Sequence, residues 1–221
     1  RTMSIFFVLS LRTNRNLVII WIPDHHCNCY FEDIYKTDNL PFIIIRQDIQ
    51  TYPSNLNEVN TNSEKDLYIN IPKNFTHKLL DWESLCNFYN YLVPVDSILK
   101  KIEYYINKLN IYNCTGVHIR MGQPGESYES TDGWDLDSIK QHDKYRSESH
   151  WINFLKRMKR MLSNNPSIVF FVCCDNKKAY NNIINNIPNN NIVYINKELF
   201  DRSKQQIVSA IVDLYLLSRT K

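Results

Sequence analysis

The chain has 221 residues, of which 43% are hydrophobic and 22% charged, with only 4 glycines and 8 prolines. This is the composition of a globular protein with one substantial core or two modest ones, and it excludes a low-complexity or disordered chain. The net charge of +3 is spread along the chain. It is compatible with phosphorylated ligands but is not a signature of nucleic-acid binding. No apolar run is long enough to cross a bilayer, so we expect no membrane segment here.

The first part of the chain has the pattern of an α/β fold. Met3–Leu11 is apolar on nearly all sides, which predicts a buried helix, and the apolar run Leu17–Trp21 is typical of a parallel strand covered on both faces. The pattern beyond Pro23 predicts, in order, a polar loop at 24–29, a short helix at Phe31–Tyr35, a buried strand at Phe42–Ile45, a surface loop at Gln47–Lys65, a weaker strand at Leu67–Ile71 and a helix at Glu83–Leu92.

The second part repeats the alternation of helices and strands. The predicted elements are a helix at Val95–Leu109, a strand at Val117–Ile119, a long loop at Met121–Ser147, a helix at Glu148–Leu162, a strand at Ile168–Val172, a helix from Asp175 through Ile187, a strand at Ile192–Ile195 and a helix at Gln205–Leu217. Such alternation predicts a mostly parallel sheet with right-handed crossovers. We place a domain boundary near Pro94, which divides the chain into residues 1–93 and 94–221.

The most informative stretch surrounds the strand Val117–Ile119. This strand would deliver His118 and Arg120 to the carboxyl edge of the sheet, with Gly122 freeing the backbone just beyond. Ligands of open α/β sheets collect at that edge, and a guanidinium matches two phosphate oxygens at once. The stretch predicts an anion site, and a structural arginine that caps the strand end is the alternative.

Two aspartates are further candidates. Asp175 follows a strand directly and so lies at the same edge, where it could contact a ligand or act as the N-cap of the next helix. Asp213 lies on a helix that is apolar nearly everywhere, on a polar stripe with Arg202, Gln206 and Ser209. Because a buried carboxylate needs partners, Asp213 would accept either from ligand donors or from a loop amide.

Two other segments could carry chemistry. His25 and His26 lie beside Cys27 and Cys29, but the Cys-x-Cys spacing does not suit a closed zinc site, and we favour a structured loop without a metal. The six cysteines are expected to be reduced thiols. In the long loop, Tyr128 and Trp134 interleave with an acidic run. They could stack on a sugar acceptor, although such a run is more often merely solvated.

Three short motifs occur in the order and approximate spacing of a known donor site: Gly116-Val-His-Ile-Arg120, Phe171-Val-Cys-Cys-Asp175 and Ala210-Ile-Val-Asp-Leu-Tyr-Leu-Leu-Ser218. They resemble those of the GDP-fucose-dependent fucosyltransferases, the α1,6- and protein O-fucosyltransferase superfamily. Near the start, Trp21-Ile-Pro-Asp24, Cys27 and Phe31-Glu-Asp-Ile-Tyr35 also resemble that family. The resemblance implies a GT-B-like pair of Rossmann-like domains, with the acceptor side at 1–93 and the GDP-sugar site at 94–221. It also implies an inverting, metal-independent transfer of fucose without a cofactor.

Residue by residue, the resemblance assigns Arg120 to the donor pyrophosphate, as the catalytic arginine that stabilises departing GDP. It assigns His118 and Asp213 to guanine, and matches Asp175 to the acid after the second motif strand. Many α1,6-type members have a second arginine where this chain has Met121. The family's glycine-rich loop would precede Thr2, and its closing strand and serine-rich loop would follow Lys221. We therefore expect a fragment that lacks both ends.

The expected partners are a nucleotide-sugar donor and a glycan or protein acceptor, and no nucleic acid. Two alternatives are a transferase for another GDP-sugar, because the matching residues mostly contact GDP, and a non-catalytic nucleotide- or glycan-binding module of the same fold. The sequence does not determine localisation. We favour the cytoplasm, and the secretory pathway would require a signal that precedes this sequence.

Overall fold

The computed structural model describes residues 2–24, 27–46, 80–121, 144 and 147–221. The predicted loop at Gln47–Lys65, the predicted strand at Leu67–Ile71 and most of the predicted loop at Met121–Ser147 lie outside these residues. Contacts divide the chain into two compact units, Arg1–Asp96 and Ser97–Lys221, whereas the sequence pattern places the boundary at Pro94. None of the helices in the described part combines the length and the apolar character needed to cross a membrane.

The first unit contains a small parallel sheet and an aromatic core. Its elements are helix α1 (Thr2–Arg12), strand β1 (Val18–Trp21), a 3-10 helix (Phe31–Asp33), strand β2 (Ile43–Arg46), helix α2 (Trp82–Phe88) and a second 3-10 helix (Tyr89–Tyr91). β1 and β2 pair in parallel, with Val18 opposite Ile43. Phe7, Phe42 and Phe88 contact one another with ring centroids 5.4–6.1 Å apart. The predicted first helix and first strand are confirmed.

The prediction that both strands are buried is wrong, because no residue of β1 or β2 is fully buried. Ile43 and Ile45 are 56% and 45% exposed, whereas Phe42, on the other side of the pleat, is 7% exposed. Val18 of β1 is also 43% exposed. An all-apolar run contains residues for both faces of a strand, but it does not say whether other elements cover both.

The second unit is a three-stranded parallel sheet with helices. Its elements are α3 (Asp96–Leu109, which begins at the unit boundary), a 3-10 helix (Ile111–Asn113), β3 (Thr115–Ile119), α4 (Trp151–Asn164), β4 (Phe170–Cys174), α5 (Lys177–Asn186), a further 3-10 helix (Asn189–Asn191), β5 (Ile192–Val193) and α6 (Lys204–Leu217). The strand order is β3-β4-β5, with both pairs parallel. The predicted alternation and parallel pairing are confirmed. The predicted start of α4 at Glu148 is wrong, because His150 is the N-cap and accepts from the Ile152 N–H.

Both faces of this sheet are covered. On one face a core cluster packs the strands against α4 and α5; its buried members are Val117, Ile119, Met158, Phe170, Val172, Cys174, Ala179, Tyr180, Ile183, Ile187 and Ile192. The alternate residues of β3 and β4 face α6, because successive side chains of a strand point to opposite faces. Every residue of β4 is buried, as expected for a central strand.

Gly116 lets the end of α6 approach β3 closely. A Cβ atom here would lie 3.2 Å from Leu217 Cδ2 and would overlap the Thr220 hydroxyl. That hydroxyl is held in place by donating to the Leu217 carbonyl at 2.8 Å. The glycine of the first motif is therefore a packing requirement.

We expect Gly116→Ala to lower the free energy of unfolding by about 1–3 kcal/mol, because the methyl group overpacks this contact. Urea denaturation measures the loss. In a Thr220→Gly background the same substitution should cost clearly less, because the overlapping side chain is gone. An equal loss in both backgrounds would show that the contact with Thr220 is not the cause.

The predicted burial of the last helix is only partly correct. Val212, Asp213 and Leu216 are buried, but Leu214 is 57% exposed. The helix is apolar nearly all round, so its sequence does not reveal which side faces the sheet. The sheet-facing side is the one that contains Asp213.

Candidate functional site

Arg120 follows β3 directly and presents an exposed side chain at the carboxyl edge of the sheet. In the part of the chain that the structure describes, its guanidinium makes neither an ion pair nor a hydrogen bond. Among the described residues, the Arg120 side chain therefore makes no hydrogen bond that would cap the end of β3, which was the alternative role. All five N–H donors of the guanidinium remain open to a ligand.

The peptide that follows Arg120 is held by three contacts. The Met121 N–H donates to Asp175 Oδ1 at 2.7 Å, and Ser149 Oγ donates to the Arg120 carbonyl at 3.3 Å. Met121 Sδ also accepts from the Trp151 N–H at 3.4 Å, at the first turn of α4. The backbone is thus fixed while the guanidinium stays exposed, so a ligand would meet a cation whose attachment point is already ordered.

The N-cap role predicted for Asp175 is wrong. Asn176 caps α5, with its Oδ1 accepting from the Ala179 N–H at 3.0 Å. The Asp175 N–H still donates to the Ile119 carbonyl at 3.4 Å, so the pairing with β3 continues one residue beyond the end of β4. The Asp175 carboxylate instead ties the end of β4 to the residue after Arg120.

We expect Asp175→Ala to lower the free energy of unfolding by about 1–3 kcal/mol, because it leaves the Met121 N–H without its acceptor. Asp175→Asn is the matched control, since its amide oxygen can still accept that hydrogen bond. Urea denaturation of both variants tests the role. If asparagine costs as much as alanine, the negative charge matters and not the hydrogen bond.

Asp213 forms a buried ion pair with Lys197, a residue that the sequence analysis did not single out. Their side chains are 10% and 9% exposed. Lys197 follows β5 and also donates to the Cys174 carbonyl at 3.4 Å. The partner of Asp213 is therefore neither a ligand donor nor a loop amide, which were the two predicted alternatives. The signal that could have found it is a lysine two positions after the apolar run 192–195, at the edge where Asp175 also lies.

The electrostatics of Asp213 combine burial with three polar neighbours. Burial raises the pKa of the carboxyl group, while the Lys197 ammonium, the Cys173 thiol and the charge of His118 act in the opposite direction. Burial also raises the pKa of Cys173 well above its ordinary value, so the thiol stays protonated and can donate to the carboxylate. The cluster is a shielded anion with a cation and a weak donor already in contact.

His118 lies on the same face of the sheet as this cluster. It is opposite Cys173 in the β3–β4 register, and its side chain is exposed. The structure therefore brings His118 close to Asp213, and places Arg120 and Asp175 at the strand ends beside them. Gly122, Tyr128 and Trp134 lie outside the described residues.

The described residues after β1 form local hydrogen bonds. The Cys27 N–H donates to Asp24 Oδ1 at 3.0 Å, and Trp21 Nε1 donates to the Cys29 carbonyl at 2.8 Å. His25 and His26 lie outside the described residues. Among the residues that the structure does describe, no group of three or more His, Cys, Asp or Glu side chains is placed to hold a metal ion. All six cysteines are free thiols.

No protein-family model and no curated protein matches the sequence. Solved structures do match. The crystal structure of fucosyltransferase NodZ from Bradyrhizobium superposes with a TM-score of 0.57 at 15% identity, over 98% of this chain and 80% of that chain. NodZ α-1,6-fucosyltransferase soaked with GDP-fucose gives 0.58 at 15% identity, with the same coverage. The enzyme co-crystallised with GDP gives 0.57 at 16%, over 98% and 79%. The chain has a fucosyltransferase-like fold.

At this identity the likeness establishes the fold, and the chemistry has to be argued from the residues. The fucosyltransferase-like fold is mixed α/β with parallel strands, as the sequence pattern predicts. Within it, His118, Arg120, Asp175 and Asp213 all lie at or just beneath the carboxyl edge of β3 and β4, or on the helix that covers them.

Proposed function

We propose that this protein is a glycosyltransferase that transfers fucose from GDP-fucose to a glycan or protein hydroxyl, with inversion and without a metal or cofactor. The observation that carries the proposal is the exposed Arg120 guanidinium beside His118 and the buried Asp213 carboxylate. The guanidinium can bind the oxygens of a diphosphate, and the carboxylate can accept hydrogen bonds from a nucleobase that has N–H donors. The fold is like that of an enzyme whose crystals were soaked with GDP-fucose.

The chemistry assigned to Arg120 follows from the leaving group. When the bond between fucose and the β-phosphate breaks, negative charge builds on the phosphate oxygens. A guanidinium already held at that place stabilises the transition state more than the ground state, which raises the rate. In this proposal Asp175 acts through the backbone of Met121 and keeps Arg120 in position.

Asp213 and His118 are assigned to the nucleobase. Guanine presents two adjacent N–H donors, at N1 and at its 2-amino group, and a carboxylate accepts both. Adenine has an unprotonated N1 and cannot make that pair. A site built on a carboxylate therefore favours GDP over ADP, because guanine adds two N–H donors to the acceptor and adenine cannot replace them.

Calorimetric titration tests the donor site. GDP is expected to bind at least about 10-fold more tightly than ADP, the ratio for one charged hydrogen bond. Replacing His118 by alanine should narrow this ratio while leaving the affinity for inorganic pyrophosphate unchanged. Equal affinity for GDP and ADP, or no binding of either, would rule out the proposed guanine site.

Release of GDP from GDP-fucose and from GDP-mannose, with and without candidate acceptors, tests the transfer. Turnover of GDP-fucose supports the proposal. If another GDP-sugar is preferred, the assigned nucleotide site is still correct and only the identity of the donor sugar changes. Binding of GDP without any turnover would indicate a non-catalytic binding module. We also propose, as the resemblance implies, that each unit is a Rossmann-like domain of a GT-B enzyme.

A further inference from the structure

We propose that Lys197 is the positioning residue of the nucleobase site: its ammonium holds Asp213 as an oriented anion that accepts two adjacent N–H donors and so selects guanine. This inference rests on the proposed function and adds to it a residue that determines base specificity. The observations that carry it are the buried ion pair with Asp213 and the second contact of Lys197, with the Cys174 carbonyl.

The geometry gives Lys197 a fixed place. Its ammonium bridges Asp213 Oδ2 on α6 and the carbonyl at the end of β4, so it joins the helix to the sheet edge. With both side chains about nine-tenths buried, little water is available to replace either contact. Removing the lysine would therefore change the state of the carboxylate, not merely its hydration.

The carboxylate keeps acceptor capacity for a ligand. An ionised carboxylate has about four acceptor positions on its two oxygens. Lys197 takes one of them, and the neighbouring Cys173 thiol can donate to another. The remaining two match in number the N1 and 2-amino donors of guanine. A protonated carboxyl group would have lost one acceptor, so the ammonium that favours the anion also preserves the site.

Several charged or titratable groups surround Asp213. They are His118 on β3, Cys173 on β4 and Lys197 after β5, and the charge of Asp213 also acts on Tyr180 of α5, which belongs to the core cluster on the other face of the sheet. Burial raises the pKa of Asp213, and Lys197 is the largest influence in the opposite direction. Without Lys197 the carboxyl group would take up a proton more readily as the pH falls, and base selection would fall with it.

The experiment compares GDP with inosine diphosphate, which lacks only the 2-amino group. Calorimetry is run on the unchanged protein, on Lys197→Met, on Lys197→Arg and on Lys178→Met, an exposed lysine of α5 that serves as the control. In the unchanged protein and in Lys178→Met, GDP should bind about 10-fold more tightly than inosine diphosphate, the ratio for one charged hydrogen bond. In Lys197→Met this ratio should fall to about 3-fold or less, while the affinity for pyrophosphate stays the same. Lys197→Arg should keep most of the ratio.

A pH series separates a positioning role from a packing role. In Lys197→Met the ratio between the affinities for GDP and inosine diphosphate should decline more steeply from about pH 8 to about pH 6 than it does in the unchanged protein, because the ammonium that favours the Asp213 anion is missing. Packing alone would not produce that difference. If Lys197→Met does not fold, Lys197→Gln takes its place, because its amide can still donate to neighbouring oxygens. The same loss of the ratio is expected, since the amide lacks the positive charge that favours the Asp213 anion.

The outcomes are distinguishable. If the unchanged protein prefers GDP and the Lys197 variants keep the full preference, this inference is wrong and the proposed function stands. If Lys197→Met lowers the affinity for pyrophosphate as much as the affinity for GDP, the lysine only supports the fold, and the inference is again wrong. If the unchanged protein does not bind GDP, the proposed function fails, and the inference fails with it.

Discussion

Arg120→Ala is expected to reduce the affinity for GDP by about 10- to 100-fold, because it removes a charged donor from the diphosphate. The affinities for ADP and pyrophosphate should fall by the same factor, since the guanidinium contacts the part that these ligands share. If the protein transfers fucose, kcat should fall further, by about 100- to 1,000-fold, because charge on the leaving group is greatest in the transition state. Calorimetry and GDP release measure the two effects.

Two further variants keep this result specific. Arg120→Lys should recover part of the affinity but little of the rate, because an ammonium replaces the charge without the planar pair of donors. Arg157→Ala, at an exposed arginine of α4, should change neither. Since Arg120 is exposed, its removal should leave the unfolding transition almost unchanged. If GDP binds equally well to Arg120→Ala, the diphosphate does not contact this residue.

Asp213→Leu is expected to lower the free energy of unfolding by about 3–5 kcal/mol, the cost of leaving one partner of a buried ion pair without the other. The ammonium of Lys197 would then lie nine-tenths buried with only the Cys174 carbonyl as its partner among the contacts seen here. This is the largest stability effect we expect from a single substitution in the second unit. Urea denaturation followed by circular dichroism measures it.

The double variant Asp213→Leu with Lys197→Met provides the control. Replacing both charges by apolar side chains should restore much of the stability, because no uncompensated charge is left buried. If the double variant is as unstable as the sum of the two single variants, the pair is not coupled, and each residue contributes through other contacts. Neither protein should select GDP over ADP, because the carboxylate is missing from both.

The elements that position the site leave clear patterns in the sequence. The apolar runs predict β3, β4 and α6, and the periodicity predicts α3 and α4, because buried elements and amphipathic helices leave recognisable patterns. Arg120 and Asp175 were identified because each follows a strand, and parallel strands end at a common edge. Asp213 was identified because a charge on an apolar helix needs a partner.

The sequence did not reveal the bonding partners of Asp213 and Asp175. Nothing local to Asp213 points to Lys197, which lies 16 positions earlier and reaches it only through the packing of α6 on the sheet. Likewise, the bond from Met121 to Asp175 joins residues 54 positions apart. The cap of α5 was misplaced by one residue for a related reason: pairing between β3 and β4 extends to Asp175 and leaves Asn176 as the cap.

By itself, therefore, the sequence determined the order and type of the elements and the candidate residues at their ends, because these depend on local periodicity and on the chemistry of single side chains. Only the tertiary structure decided which apolar faces are covered, as β2 and α6 show, and which cation neutralises Asp213. Burial and ion pairing depend on groups that are distant in the sequence. The free energy of a buried carboxylate is set by whatever the fold brings against it.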